Sequence, residues 1–142
     1  MATNNNQVRI NSLTRQKTSI QNQINSTQSN IDDINQKIAR LESAYRTLAR
    51  LKFEAGVLKG TANGISTKHY KWKGNKHNNF KRDGSWLVDE HKEYIKSLDY
   101  VLDSLNYEIA NLKNTRDDQW GLIGYFKKQI RNISTQIRNL IN

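Results

Sequence analysis

The chain has 142 residues, of which 35% are hydrophobic, a net charge of +10 and a mean hydropathy of −0.87. That length suits a single domain, 1–142, and so little apolar content excludes a thick globular core. The absence of cysteine excludes disulfides, thiolate catalysis and cysteine metal sites, and the absence of proline leaves long helices free to run unbroken.

The start, Met-Ala-Thr-Asn-Asn-Asn, lacks the charged and apolar regions of a signal peptide, and no apolar run approaches the roughly 18 residues of a membrane span. The expectation is a protein held in the cytoplasm or exported without a cleaved signal peptide, and no transmembrane segment. The first helix is expected over about 8–58. Ile10, Leu13, Ile20, Ile24, Ile31, Ile34, Ile38, Leu41, Tyr45 and Leu48 recur in steps of three and four, with Lys17 and Thr27 in the two vacant positions. Such sustained spacing in one phase specifies coiled-coil packing. The rest of 3–36 is crowded with Asn, Gln, Ser and Thr, mediocre helix formers, so this helix depends on packing.

A turn region is expected over about 59–74, where Gly60, Gly64 and Gly74 fall in a stretch without periodicity. The second helix is expected over about 75–141. Its stripe reads Tyr94, Leu98, Val101, Leu105, Ile109 and Leu112, then Ile123, Phe126, Ile130, Ile133, Ile137 and Leu140, with Ile95, Leu102, Tyr100, Tyr107, Trp120 and Tyr125 widening it. Gly121 and Gly124 inside this pattern mark a weak point or a close helix contact near Trp120. Two such helices joined once fold back antiparallel, which gives an all-α two-helix hairpin.

A hairpin has one seam and buries little of its surface, so it is marginal alone. The second helix carries more apolar surface than that seam needs, which implies a partner that completes a bundle. The candidate partner-binding residues are Tyr94, Leu98, Val101, Leu102, Leu105, Ile109, Leu112, Trp120, Ile123 and Phe126. A homodimeric four-helix bundle, or coiled-coil spacer, would cover the same face.

Charge is distributed as +3 over 1–31, +1 over 32–58, +7 over 59–82, −5 over 83–118 and +4 over 119–142. Residues 68–82 hold six Lys or Arg and no acid, interleaved with Tyr70, Trp72 and Phe80, a composition that can neutralise phosphates and stack bases. The more economical reading has Trp72 and Phe80 plugging the end of the hairpin, so nucleic acid is the less favoured partner. Antiparallel pairing about residue 69 places Lys17 one turn or less from Asp117 and Asp118, where an ion pair would set the register or the lysine would reach out of the seam. The termini together form one basic end, suited to an acidic partner more than to an anionic membrane. His69, His77 and His91 lack any metal-ligand spacing, and Asp89, Glu90 and Glu93 complement a helix dipole. The expectation is therefore a non-enzymatic protein without metal or cofactor.

Trp72-Lys73-Gly74 between two long helices, followed by Phe80, resembles the Trp-x-Gly turn of the small WXG-like hairpin proteins of type VII secretion. The stretch WKGNKHNNF is similar, more closely, to the YwqH-like group, helical proteins associated with LXG-domain toxins of Firmicutes. That resemblance implies Trp72, Gly74 and Phe80 as the turn motif. It also implies a partner or targeting chaperone that bundles with the N-terminal helical domain of an LXG toxin, alone or with other small helical secretion partners. The chain departs from the Tyr-x-x-x-Asp/Glu export signal common in those systems. Tyr125 is followed four residues later by Gln129 and Phe126 by Ile130, so the partner would have to supply a signal.

Overall fold

The computed structural model describes residues 3–67 and 75–142; inside the helices, the side chains of residues 62, 65–67, 75–77, 80 and 81 also lie outside that description. Two helices, α1 (Asn4–Thr67) and α2 (Asn75–Ile141), pack against each other as an all-α hairpin, with no strand among the described residues. Helix α1 begins four residues before the expected position because Thr3 caps it. The Thr3 hydroxyl accepts from Asn6 N–H at 3.2 Å and its carbonyl from Gln7 N–H at 2.8 Å. The same helix runs on through Gly56, Gly60 and Gly64 to Thr67, beyond the expected end at 58. Glycine costs about 1 kcal/mol in a helix but does not break it, and with no proline nearby the seam positions Ala55 and Lys59 carry the spacing onward.

Burial follows one rule in both helices. In α1 the positions shielded from solvent are Asn6, Ile10, Leu13, Lys17, Ile20, Ile24, Thr27 and Ile31, and the same alternation of four and three continues to Lys59. In α2 it runs from Gly84, Val88, His91 and Ile95 through Leu98, Leu102, Leu105, Ile109 and Leu112, then Arg116, Gln119 and Ile123, to Leu140. This corrects one phase of the sequence reading. Ile95 and Leu102 face the seam, whereas Tyr94 and Val101 stand beside it, exposed. Both phases are apolar between 94 and 102, and only continuity with Val88 and His91 selects between them. Turning Tyr94 outward also leaves its hydroxyl in water. Arg116 and Gln119 fill the gap between Leu112 and Ile123, so the seam is partly polar there.

The chain divides into two compact units, Met1–Ile38 with Ala110–Asn142, and Ala39–Ile109. In the first, Ile24, Ile31 and Ile123 form a buried cluster with Ile20, Phe126 and Ile130 packed against it. Asn6 Nδ2 donates to the Leu140 carbonyl at 3.3 Å and Arg116 Nη1 to Asn35 Oδ1 at 3.3 Å, so the two segments run antiparallel. Buried Thr27 satisfies its hydroxyl by donating to the Gln23 carbonyl at 2.8 Å. In this register Lys17 lies well past Asp118, and among the described residues it has no ion pair. The sequence estimate set the pairing centre too early because it ended α1 too soon.

In the second unit Ala55, Leu98, Leu102 and Ile109 are buried. Lys52 occupies a seam position but extends its ammonium to an ion pair with Asp99. Asp99, as hydrogen-bond acceptor first and as negative charge second, holds the Lys52 ammonium above lysine's ordinary range. A raised folded-state value means that the contribution is complete at neutral pH and disappears only as strongly alkaline pH strips the proton. Both side chains are more than two-fifths exposed, so water and salt screen the pair.

A Cβ placed on Gly121 or Gly124 would meet nothing within 4 Å, so neither marks a close helix contact near Trp120. Gly121→Ala is therefore expected to raise the unfolding free energy by up to about 1 kcal/mol. Ile31→Ala, at a site only 1% exposed, is expected to lower it by about 2–5 kcal/mol. Urea denaturation followed by helical circular dichroism measures both.

Candidate partner-binding surface

Of the expected turn motif, Trp72 and Gly74 lie outside the described residues, and Phe80 falls within α2 with its side chain outside the description. Most of the basic stretch 68–82 is likewise outside it, as are His69 and the His77 side chain. His91 Nδ1 lies 2.9 Å from the Leu87 carbonyl, one turn back on its own helix. Among the described residues no group of three His, Asp or Glu side chains could hold a metal ion, and no helix is long and apolar enough to cross a membrane.

The ten residues assigned from sequence to partner binding divide into two sets. Leu98, Leu102, Ile109 and Ile123 are buried and Leu105, Leu112 and Phe126 half-buried on the seam, each within its own unit. Tyr94, Val101 and Trp120 are exposed. A partner approaching the folded hairpin from outside meets these three in full and the half-buried Leu105, Leu112 and Phe126 in part, whereas the four buried residues are almost wholly covered by the seam.

Tyr94 and Val101 belong to a larger pattern in the second unit. Leu87, Tyr94 and Val101 recur every seven residues along α2, and Trp86, Tyr100 and Tyr107 form a second row about 100° round the helix, with Glu90, Ser97 and Ser104 between the two. All six are exposed, Tyr100 to 75% and Tyr107 to 71%. A seven-residue recurrence keeps side chains on one side of a helix, so these rows border one outward face with a polar strip between them. Each tyrosine offers an apolar ring and a hydroxyl that needs no burial, a combination enriched at protein interfaces. The Trp86 end is hollowed, with Leu87, Glu90, His91 and Tyr94 around it.

Helix α1 contributes apolar surface that the sequence reading did not identify. Phe53, Val57 and Leu58 are exposed, and a groove of about 550 Å³ is lined by Tyr45, Ala49, Lys52, Phe53, Gly56, Val57 and Leu102. The signal was present in the spacing. These three residues sit off the three-four stripe, as a large apolar side chain with no seam position to fill must do.

In the first unit the outward apolar residues Val8, Trp120, Leu122, Tyr125 and Ile141 do not share a row. The Tyr125 ring lies 5.9 Å from that of Phe126, and its hydroxyl accepts from Gln129 Nε2 at 2.8 Å. Arg9, Arg15, Lys127, Lys128, Arg131 and Arg138 are exposed, and neither 3–31 nor 119–142 contains an Asp or Glu. This unit therefore presents cations without side-chain carboxylates at the end where Asn6 meets Leu140.

The seam and the outward face should respond oppositely to truncation. Leu102→Ala is expected to cost about 2–5 kcal/mol of stability, and Tyr100→Ala less than about 0.5 kcal/mol. Thermal melts of the two variants measure the contrast.

A protein-family model described as YwqH-like matches residues 15–135, which takes in most of both helices and the segment between them. Comparison with curated proteins and with solved structures gave no match.

Proposed function

The chain belongs to the YwqH-like family, and from that premise we propose that it is a non-enzymatic helical partner of an LXG-type toxin. In this reading it bundles with the toxin's long N-terminal helical domain and serves as a targeting chaperone for type VII secretion. The observation that carries the reading is the pair of exposed apolar rows on α2, from Trp86 to Tyr107. Six large apolar side chains in one face are unfavourable in water, and a second helical protein laid along them removes that cost. The three-four seam supports the same role, because a hairpin already packed as a coiled coil accepts further helices by the same geometry.

Delivery would depend on the partner. At the position where an acidic residue would complete a Tyr-x-x-x-Asp/Glu signal, this chain has Gln129, whose amide donates to the Tyr125 hydroxyl. An amide there carries no charge, so the toxin or another small helical protein would provide the export signal.

Co-expression with an LXG-type toxin head encoded in a neighbouring reading frame, which this reading requires, is the direct test. The expected result is a stable complex on size exclusion with light scattering, lost or weakened at least tenfold by Tyr100→Ala with Tyr107→Ala, since central aromatic residues dominate such interfaces. A monomer that melts cooperatively at high temperature and ignores that neighbour would overturn the proposal. A homodimer formed through the same face would replace it with the self-contained coiled-coil reading.

A further inference from the structure

The outward face of α2 in the second unit has a charge character as well as an apolar one. The row through Trp86, Tyr100 and Tyr107 includes Glu93, and the row through Leu87, Tyr94 and Val101 includes Glu108, each at the same seven-residue spacing. Glu90 borders the hollow beside Trp86. Neither row contains a cation; Lys92 and Lys96 recur instead with Asp99 and with Asp89 and Asp103. Among the described residues none of Glu90, Glu93 and Glu108 has a basic group within ion-pair distance, whereas Asp99 is paired with Lys52 and Asp83 with Arg82.

We propose that this face binds an amphipathic helix of another protein whose apolar stripe is bordered by Lys or Arg, with Glu90, Glu93 and Glu108 selecting that charge. The inference rests on the partner-binding reading above and adds the chemical character of the segment that docks. Its form follows from the rows. They run parallel to α2 from Trp86 to Glu108, about 33 Å at 1.5 Å per residue, and their seven-residue repeat is the one a second helix can follow side by side. Its sign follows from the carboxylates, which have no ion pair among the described residues and share these rows, or the strip between them, with the aromatic residues. A cation brought there gains attraction in a partly dehydrated contact, and an acidic helix meets repulsion at three positions.

Two other occupants fit less well. An anionic membrane would be repelled by the same carboxylates. The chain's own acid-free cationic segment, 119–142, already has Ile123, Phe126, Ile130 and Ile133 on its seam, so a second copy has no spare apolar stripe of that charge to offer.

The test uses the full chain and two synthetic 30-residue helices with the same Leu/Ile stripe, one flanked by Lys and one by Glu. Calorimetric titration at low salt should show the Lys-flanked helix binding about tenfold more tightly, with the preference shrinking as salt rises. The double variant Glu93→Lys with Glu108→Lys should reverse the order while leaving the thermal melt unchanged. Equal binding of the two helices, or a preference that the double variant leaves unaltered, would overturn the proposal. So would a homodimer abolished by the double variant, or binding to phosphatidylserine vesicles through this face. The neighbouring toxin head separates this inference from the functional reading. If the head fails to bind while the Lys-flanked helix binds through Glu93 and Glu108, the toxin assignment falls and the charge rule stands. If the head binds equally to the wild type and the double variant, the charge rule falls and the assignment stands.

Discussion

Everything described above depends on a single alternation of four and three residues, carried without interruption from Asn6 to Lys59 in α1 and from Gly84 to Leu140 in α2. A hairpin has no second layer, so the residues on that alternation must provide nearly all the burial that keeps the helices together. Few of them are buried completely; Ile31, at 1% exposure, is the extreme, and many seam positions remain half-buried. Such a fold holds a shape but leaves much of each helix wet, and surface left wet is available to another chain.

The two compact units use their surfaces differently. The second gathers its outward apolar residues of α2 into two rows with glutamates set among them, and adds Phe53, Val57 and Leu58 on α1. The first scatters its outward apolar residues and carries exposed lysines and arginines without side-chain carboxylates over 3–31 and 119–142. Apolar rows supply area and hence affinity, while charge at their borders sets which helices are accepted and how fast they arrive. A small helical protein can be selective by these means alone.

The hairpin was legible in the sequence because its two causes, the absence of proline and the three-four spacing, act locally and are written residue by residue. The end of α1 was not, because glycine resembles punctuation on paper, whereas Gly60 and Gly64 have open space around them and the helix simply continues. Near residue 100 the apolar residues fit two phases, and choosing Ile95 and Leu102 over Tyr94 and Val101 required the continuity of the whole seam. The pairing of Lys17 with Asp117 or Asp118 failed for a global reason, since register depends on where the chain turns and not on spacing within one helix. The outward face was partly visible through Tyr94, Val101 and Trp120, but Leu98, Leu102, Ile109 and Ile123 belong to the seam, a division that periodicity alone does not make. Phe53 lies off the three-four stripe, so the periodicity that marks the seam carries no signal for it.

The seam has one further property. Its Lys, Arg and His residues among the described positions are Lys17, Lys52 and Lys59 on α1 and His91 and Arg116 on α2, and no Asp or Glu occupies it there. Lys52 finds Asp99, and Arg116 finds the Asn35 amide, by reaching sideways to the edge of the contact. Sliding one helix along the other would separate Lys52 from Asp99 and Arg116 from Asn35, so both contacts favour the observed register. The apolar stripe, nearly uniform in isoleucine and leucine, would fit several alignments almost equally well. Polar side chains reaching the edge of the seam add a discrimination that the hydrophobic residues lack.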